Sequence, residues 1–318
     1  MSTAKAGRGS TRRWLTAAER GLRHRTSEVA TLRPRIAVVN AALCRRGPRQ
    51  MLADAGTAAG KLAAQSPWHA AALHMQACAA LLLDAADEAE ALLAAAVASP
   101  AAAPETRMIA LAQLSFLAHD RGDAAATEHF ADQARMLAAA LDGAPTTAIA
   151  LAASAHSALR QGRWADARDL VRTADELAAS VTDALPWLAI TARLQIARCY
   201  LTLRDVASAR ELVGQIDSLL DARPRVGVLV DRARSLRHEV AVLPKPETKS
   251  AGLTPAELRL VPLLATHLSF REIADELLVS RNTVKTQAIS IYRKLGVSGR
   301  SDALAAAEEL GVRPLRGA

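Results

Sequence analysis

The chain has 318 residues, of which 51% are apolar and only 3% aromatic, and its formal net charge is +8. An alanine-rich composition with few aromatic residues favours closely packed helices over a β-sandwich. The charge is uneven, since residues 1–50 have a net charge of +10, residues 51–249 of −4 and residues 250–318 of +2. The positive excess lies at the N-terminus, so net charge alone does not locate a nucleic-acid interface.

Features of membrane and secreted proteins are missing from the sequence. No apolar run reaches the ~18 residues that a membrane span needs, and the basic start of the chain has no apolar stretch behind it, unlike a signal peptide. The three cysteines, Cys44, Cys78 and Cys199, are scattered and never form a CxxC pair, which argues against a disulfide framework or zinc site. We therefore expect a cytoplasmic protein that does not bind membranes.

The N-terminal segment, residues 1–34, is basic and is predicted to be partly disordered. Its first ten residues are rich in Gly, Ser, Thr, Lys and Arg, a composition typical of disorder. A basic amphipathic helix is predicted from about residue 11 to residue 32. We interpret it as a solvated cap, with a nucleic-acid-binding arm as the alternative.

Residues 35–243 have the apolar periodicity of helices throughout, and a pattern repeats within them. Similar segments begin at Leu83, Gly122, Gly162 and Arg204, with a weaker copy at Gly47, and successive copies are 36 to 42 residues apart. Each copy is a turn followed by a helix with small alanines, and a second helix precedes each turn. This period predicts a solenoid of helical hairpins, and the repeat resembles the tetratricopeptide (TPR) family.

The first helices of the predicted hairpins run through residues 70–83, 108–119, 148–161 and 188–203. In a solenoid these helices build one concave surface. The surface is expected to be alanine-rich and to lack a polar cluster, which favours a protein, a peptide or an apolar effector over a phosphate-bearing one.

No constellation of residues predicts an enzyme, a cofactor or a metal site. The segment Gly56-Thr-Ala-Ala-Gly-Lys-Leu62 has three residues between its glycines, where a phosphate-binding P-loop has four, and it ends in Leu where Mg²⁺ needs Ser or Thr. We interpret it as an ordinary helix. The eight histidines form no i, i+4 pair of the kind that binds zinc.

The chain changes character after a linker at residues 244–252, which contains two prolines and several charges. Residues 253–318 contain four helix-start patterns, at Thr254, Ser269, Ser280 and Ser301, of which the first two are capping boxes completed by Glu257 and Glu272. They predict helices at about residues 255–266, 270–277, 281–295 and 301–310. The short connection Leu278-Val-Ser280 between the second and third helices predicts a helix-turn-helix.

The third of these helices has one apolar and one polar face. Val284, Ala288, Ile291 and Leu295 follow helical spacing and are predicted to face the core. The opposite face offers amide, cationic, hydroxyl and apolar groups that suit base edges, thymine methyls and phosphates. Its candidate DNA-binding residues are Asn282, Lys285, Thr286, Ile289 and Arg293, together with the Ser280 hydroxyl at the helix start.

Four sequence blocks in this region occur in order at the distances seen in one family. Leu253-Thr-Pro-Ala-Glu257, Ser269-Phe-Arg-Glu-Ile-Ala274, Val279-Ser-Arg-Asn-Thr-Val-Lys285 and Ile291-Tyr-Arg-Lys-Leu-Gly-Val297 closely resemble the LuxR-type helix-turn-helix domain. The resemblance covers about a fifth of the chain. It implies a four-helix domain whose third helix contacts DNA and whose fourth helix often forms a dimer. Carried over by position, it adds Thr283 to the candidate DNA-binding residues.

The repeats joined to this domain resemble the C-terminal part of the MalT-like regulators, and the chain as given leaves no room for the ATPase that precedes the repeats in that class. The sequence thus predicts an all-α protein, a TPR-like solenoid followed by a four-helix LuxR-type domain. We expect a transcriptional regulator that binds double-stranded DNA as a homodimer. The alternative is a protein-interaction scaffold whose helix-turn-helix no longer binds DNA, and gel-shift binding to promoter DNA separates the two.

Overall fold

The computed structural model describes residues 26–141, 143–243, 255–264, 268–277, 279–295, 297 and 299. All regular secondary structure in these ranges is helical. The chain folds into two compact units, Met1–Leu243 and Pro244–Ala318. Several expectations lie outside the described residues: the basic segment up to residue 25, the linker 244–252, the caps at Thr254 and Ser301, and the helix at 301–310.

The described part of the first unit is a succession of helices joined by short turns. A 3-10 helix, Pro145–Thr147, precedes α7. The α-helices are α1 (Thr26–Leu43), α2 (Pro48–Ala59), α3 (Pro67–Leu82), α4 (Ala86–Ala98), α5 (Pro104–Asp120), α6 (Ala124–Ala139), α7 (Ala148–Arg160), α8 (Trp164–Ala178), α9 (Pro186–Thr202), α10 (Val206–Ala222) and α11 (Leu229–Val242). Helix α1 continues through Pro34, where the sequence pattern placed a boundary. Helix α2 contains Gly56, so the first part of the P-loop-like segment is helical, as interpreted.

The helices of this unit form an inner and an outer layer. Each helix packs against its neighbours in the chain, and the odd-numbered helices α1, α3, α5, α7, α9 and α11 also pack against one another in succession. The even-numbered helices bury one face only, as in α8, whose buried residues Ala167, Val171, Ala174 and Ala178 follow 3- and 4-residue steps. The alanines at these positions allow close approach, which explains the small residues that recur in the sequence.

A repeated backbone turn joins the inner helices to the outer ones. At four of the five turns one residue has a positive φ, and the next backbone N–H donates back into the preceding helix, as in the 2.9 Å bond from Asp123 to the Ala118 carbonyl. The positive-φ residues of these four turns are Asp84, Gly122, Gly162 and Arg204, whereas the turn from α1 to α2 has two, Cys44 and Gly47. The sequence alignment of the first copy, begun at Leu83, is therefore wrong by one residue. Aspartate tolerates this conformation, and no glycine marks the position.

The inner layer closes on itself instead of leaving an open concave surface. The indole Nε1 of Trp187 in α9 donates to the Ala42 carbonyl in α1 at 2.9 Å, and the N–H of Val228 donates to the Leu82 carbonyl at 3.0 Å. These two bonds join the late helices of the unit to its first ones. Consecutive residues from Met108 to Ala118 in α5 are all buried, and the same holds for most of α7 and α9. The expectation of an exposed alanine-rich surface on these helices is wrong, because the layer curves far enough for its own ends to cover it.

A small polar network lies inside this closed layer. His74 Nε2 and Gln113 Oε1 are 2.9 Å apart, and the Gln113 amide donates to the Cys78 sulfur at 3.4 Å. The His74 ring also meets the Trp187 ring edge-on at 5.7 Å. Burial lowers the pKa of His74 to about 4, so this histidine is neutral at pH 7. All three cysteines are buried and unpaired.

The second unit has its own apolar core. Its described helices are α12 (Pro255–Leu264), α13 (Phe270–Glu276) and α14 (Arg281–Leu295), and α14 packs against both of the others. The core residues are Leu260, Val261, Leu263, Leu264, Ile273, Ala274, Val284, Ala288 and Ile291. The three helices lie within one or two residues of the predicted bounds, and a core drawn from all three holds the third helix in a fixed orientation.

Among the described residues, no helix combines the length and the apolar character needed to cross a membrane. The same part of the chain contains no group of three or more His, Cys, Asp or Glu side chains placed to hold a metal ion.

Candidate nucleic-acid interface

Side-chain caps set the start of both helices of the helix-turn-helix. The hydroxyl of Ser269 accepts from the N–H of Glu272 at 3.4 Å, and the Glu272 carboxylate accepts from the N–H of Ser269 at 2.7 Å. This reciprocal pair is the predicted capping box, and its backbone bond lowers the pKa of Glu272. The Ser280 hydroxyl accepts from the N–H of Thr283 at 3.1 Å and starts α14.

The turn between α13 and α14 is short because backbone N–H groups that follow α13 donate to carbonyls of its last turn. The N–H of Val279 donates to the carbonyl of Ala274 at 3.0 Å, and that of Leu277 to the carbonyl of Ile273 at 3.0 Å. These bonds satisfy the last carbonyls of α13 within a single turn. As a result α14 begins at Arg281, within the spacing that a helix-turn-helix requires.

The core fixes which face of α14 points to solvent. Val284, Ala288 and Ile291 are 0% exposed, so the opposite side of the helix is turned away from α12 and α13. The residues on that side recur at steps of four, three and four, namely Asn282, Thr286, Ile289 and Arg293. Over this interval α14 rises about 16 Å, so the four side chains form one continuous ridge.

All seven candidate DNA-binding residues, on α14 and at its N-cap, are exposed. They are Ser280, Asn282, Thr283, Lys285, Thr286, Ile289 and Arg293. Ile289 is 56% exposed, although isoleucine is among the residues most often buried. A large apolar side chain in the middle of a polar ridge offers a surface for an apolar group of a partner.

Hydrogen bonds within the helix already engage three of these hydroxyls. Ser280 Oγ and Thr283 Oγ1 are 2.8 Å apart, and Thr286 Oγ1 donates to the Asn282 carbonyl at 2.9 Å. Because the Thr286 hydroxyl directs its proton at a backbone carbonyl, the methyl group of the side chain and the lone pairs of the hydroxyl oxygen remain available to a partner. The Asn282 amide has both donor and acceptor atoms on the exposed side.

Helix α14 is strongly cationic and has no acidic residue. Its cations are Arg281, Lys285, Arg293 and Lys294. Lys294 donates to the buried carboxylate of Glu257 in α12 at 2.6 Å, whereas Lys285 and Arg293 form no ion pair with any described residue. The sequence analysis missed Arg281, an exposed cation at the first position of α14. It considered only the helix face opposite the core and not the first turn of the helix.

This arrangement has the chemistry needed to bind a polyanion and to distinguish its bases. Unpaired cations neutralise phosphates, an exposed asparagine can bond bidentately to adenine, and isoleucine or a threonine methyl can contact the methyl of thymine. The first N–H groups of α14 and the Ser280 hydroxyl, all at the positive end of the helix dipole, suit a phosphate.

Residues 251–307 match the family model described as bacterial regulatory proteins, luxR family. The same region is similar to the "Probable HTH-type transcriptional regulator GfsR" of Streptomyces halstedii, with 46% identity over 55 residues. That alignment covers 17% of this chain and 23% of the relative, so the chain spans about a quarter of the protein that it matches. The C-terminal part of this chain therefore carries a LuxR-family helix-turn-helix domain of the kind found in bacterial transcriptional regulators.

Proposed function

We propose that this protein is a sequence-specific DNA-binding transcriptional regulator in which α14 enters the major groove. The observation that carries the proposal is the exposed ridge of α14, with unpaired cations beside an exposed isoleucine. Single exposed apolar residues are common on protein surfaces, but Ile289 lies among cations that form no ion pair with described residues, on the face of α14 turned away from the core. A base-reading helix can use such a residue, because the thymine methyl lies in the major groove.

Each candidate residue has a role that its chemistry suits. Lys285 and Arg293 bind phosphates or guanine, Asn282 binds an adenine edge, and Thr286 and Ile289 contact thymine methyls. Ser280 and Thr283 cap the helix and present its first N–H groups to a phosphate. Arg281 extends the cationic surface at the same end.

The first unit is proposed to be a regulatory domain that binds a partner or an effector. Its layered helical pairs and repeated turns support a TPR-like architecture, and the transcriptional regulator named above supports a role in controlling genes. We further propose domain boundaries near residues 243 and 252, a homodimer on DNA and a cytoplasmic location.

The proposal is tested by selecting DNA sequences with the full chain from a random pool and measuring the affinity for the enriched site by gel shift. Replacing Lys285 with Ala is expected to weaken binding by about 1–3 kcal/mol if the contact is to a base. The matched control is Arg172→Ala, which removes an exposed cation on α8 in the other unit, and its affinity should stay close to that of the parent.

Two outcomes would favour the scaffold alternative over DNA recognition. The first is that no sequence is enriched from the pool. The second is that Lys285→Ala and Arg172→Ala bind the enriched site equally well, since the exposed cation of α14 would then have no part in the contact.

A further inference from the structure

A second polar site lies in the first unit, at the end of the inner layer where α5, α7 and α9 terminate. An open cavity of about 650 Å³ is present there, within the range of small-molecule binding sites. Its polar lining consists of two histidines (His119 and His156), three arginines (Arg160, Arg198 and Arg204), Thr202 and one carboxylate, Glu239. Sequence reasoning expected no polar cluster on these helices, because the contributing residues come from three repeats.

The cavity has an excess of positive charge. Arg160, Arg198 and Arg204 all line it, and none of the three forms an ion pair with a described carboxylate, although Glu239 of α11 also lies at the rim. Several exposed arginines elsewhere in this unit are paired, as Arg121 is with Asp87 at 2.8 Å. Cations at the carbonyl ends of helices also offset the helix dipole, but that role does not require three of them around one cavity.

Two imidazoles of the lining lack partners for buried nitrogens. The rings of His119 and His156 lie 4.8 Å apart, and the buried Nδ1 of His119 and Nε2 of His156 have no hydrogen-bond partner. His156 is only 6% exposed. Buried polar atoms without partners are rare. Burial above all, and then the neighbouring imidazole and Arg198, lower the pKa of His156 to about 3, so this ring is neutral at pH 7.

The backbone at Arg204 is in the left-handed region. Arg204 has a φ of +64°, whereas glycines occupy two of the equivalent positions, Gly122 and Gly162, and an aspartate occupies the third, Asp84. A left-handed conformation is unfavourable for a residue with a Cβ, and Arg204 is exposed, so packing does not repay this cost. Its side chain instead lines the cavity.

We propose that this cavity binds a small organic anion, with a phosphate or carboxylate head held by Arg160, Arg198 and Arg204. The imidazoles of His119 and His156 lie at the inner end, where a polar ligand atom supplies the missing partner. Leu159, Leu201 and Leu243 line the remaining wall and contact the apolar part of the ligand. Anion binding by the first unit and DNA binding by the second unit are measured separately, so either proposal can be wrong while the other is right.

The test is calorimetric titration of the full chain at constant ionic strength with phenyl phosphate, phenylacetate and inorganic phosphate, and with benzyl alcohol as the neutral control. We expect saturable binding of at least one aromatic anion and none of benzyl alcohol. Tighter binding of phenyl phosphate assigns a phosphate head, and tighter binding of phenylacetate a carboxylate head. No saturable binding of either up to about 10 mM would overturn the proposal.

Arg204→Gly is the decisive variant, because it removes the cation and relieves the backbone at the same position. It is expected to keep or raise the melting temperature while weakening the anion about tenfold. Asp84→Gly makes the same backbone change in another turn, and Arg172→Gln removes a distant exposed cation; both should leave anion affinity unchanged. Arg198→Gln should weaken binding as Arg204→Gly does. If Arg204→Gly and Arg172→Gln bind the probe equally, the arginines only offset helix ends and the proposed site is wrong.

Discussion

At the scale of single residues, Thr286 shows how the local structure restricts a DNA contact. Its hydroxyl donates to the Asn282 carbonyl one turn earlier, so without breaking that bond the side chain offers a partner its methyl group and an acceptor oxygen, but no donor. The DNA-binding proposal thus assigns to Thr286 an apolar contact with thymine.

We expect Thr286→Val, which keeps the methyl, to retain affinity for the selected site to within about twofold. Thr286→Ser, which keeps the hydroxyl, should lose about 1 kcal/mol, the value of one buried methyl group. Gel-shift titration of both variants against the same site measures the difference. The opposite order would mean that the hydroxyl, and not the methyl group, makes the contact with DNA.

Gly227 is the residue on which closure of the inner layer depends. It has a φ of +59°, and a Cβ at this position would lie 1.9 Å from the Leu82 carbonyl oxygen, which accepts from the next N–H. Both the backbone conformation and the space therefore require glycine.

Gly227→Ala is expected to destabilise the first unit by about 3 kcal/mol or more, through backbone strain, the clash and the loss of the Val228 bond. The control Gly214→Ala lies inside α10, where nothing is within 4 Å of the added Cβ, and should stabilise by about 0.5–1 kcal/mol. Urea unfolding monitored by circular dichroism compares the two. Equal midpoints would show that the turn moves away from Leu82 at little cost.

At the scale of helices, adjacent cations at the end of α14 have different tasks. Lys294 is 24% exposed in its side chain and joins α14 to the buried Glu257 of α12, whereas Arg293 points away from the core. One cation is part of the fold, and the other is free to bind a partner.

Lys294→Ala should lower the stability of the second unit by about 1–3 kcal/mol, because a buried carboxylate loses a charged partner. Arg293→Ala should change stability by no more than about 0.5 kcal/mol and should weaken DNA binding instead. Thermal unfolding measures the stability of both variants, and gel shift measures their affinity for DNA. Loss of stability in Arg293→Ala, or none in Lys294→Ala, would contradict the assignment of these roles.

At the scale of the whole molecule, the two units have separate cores. Among the described residues, the buried core of the second unit consists of side chains between Leu260 and Ile291. A fragment of residues 244–318 is therefore expected to fold and to bind the selected DNA without the first unit. Circular dichroism of the fragment tests the first claim, and an unfolded spectrum would mean that the first unit supplies part of its stability.

Acid should selectively destabilise the first unit, because His74 and His156 are buried and neutral. Their pKa values in the folded state are about 4 and about 3, below the ordinary value of 6.5. The unfolded chain thus binds more protons than the folded one below pH 6.5, and stability falls as the pH drops from 6.5 towards 4 by up to about 1.4 kcal/mol per pH unit for each histidine.

The variant that checks this pH dependence is His74→Gln, measured by urea unfolding of the first unit between pH 7 and pH 4.5. It should reduce the slope of stability against pH, whereas His129→Gln, on the exposed face of α6, should leave the slope of the parent unchanged. A slope in His74→Gln equal to that of the parent would mean that His74 is protonated without unfolding.

The sequence by itself determined the all-helical fold, the helix starts and the exposed ridge of α14. These features are local: a capping serine and glutamate stand three residues apart, and the alternation of Val284, Ala288 and Ile291 with polar residues follows the helical period. The ridge with Asn282 and Thr286 follows from the same period, so no long-range contact was needed to locate it.

Only the tertiary structure decided what the inner helices face. Closure of the layer depends on hydrogen bonds such as those of Trp187 with Ala42 and Val228 with Leu82, which join residues more than a hundred positions apart and have no pattern in the sequence. The cluster of His119, His156 and Arg198 arises in the same way, from side chains one repeat apart that only the stacking of helices brings together. Periodicity specifies the face of one helix, whereas the curvature of the layer is the sum of many helix crossings and becomes visible only once they are packed.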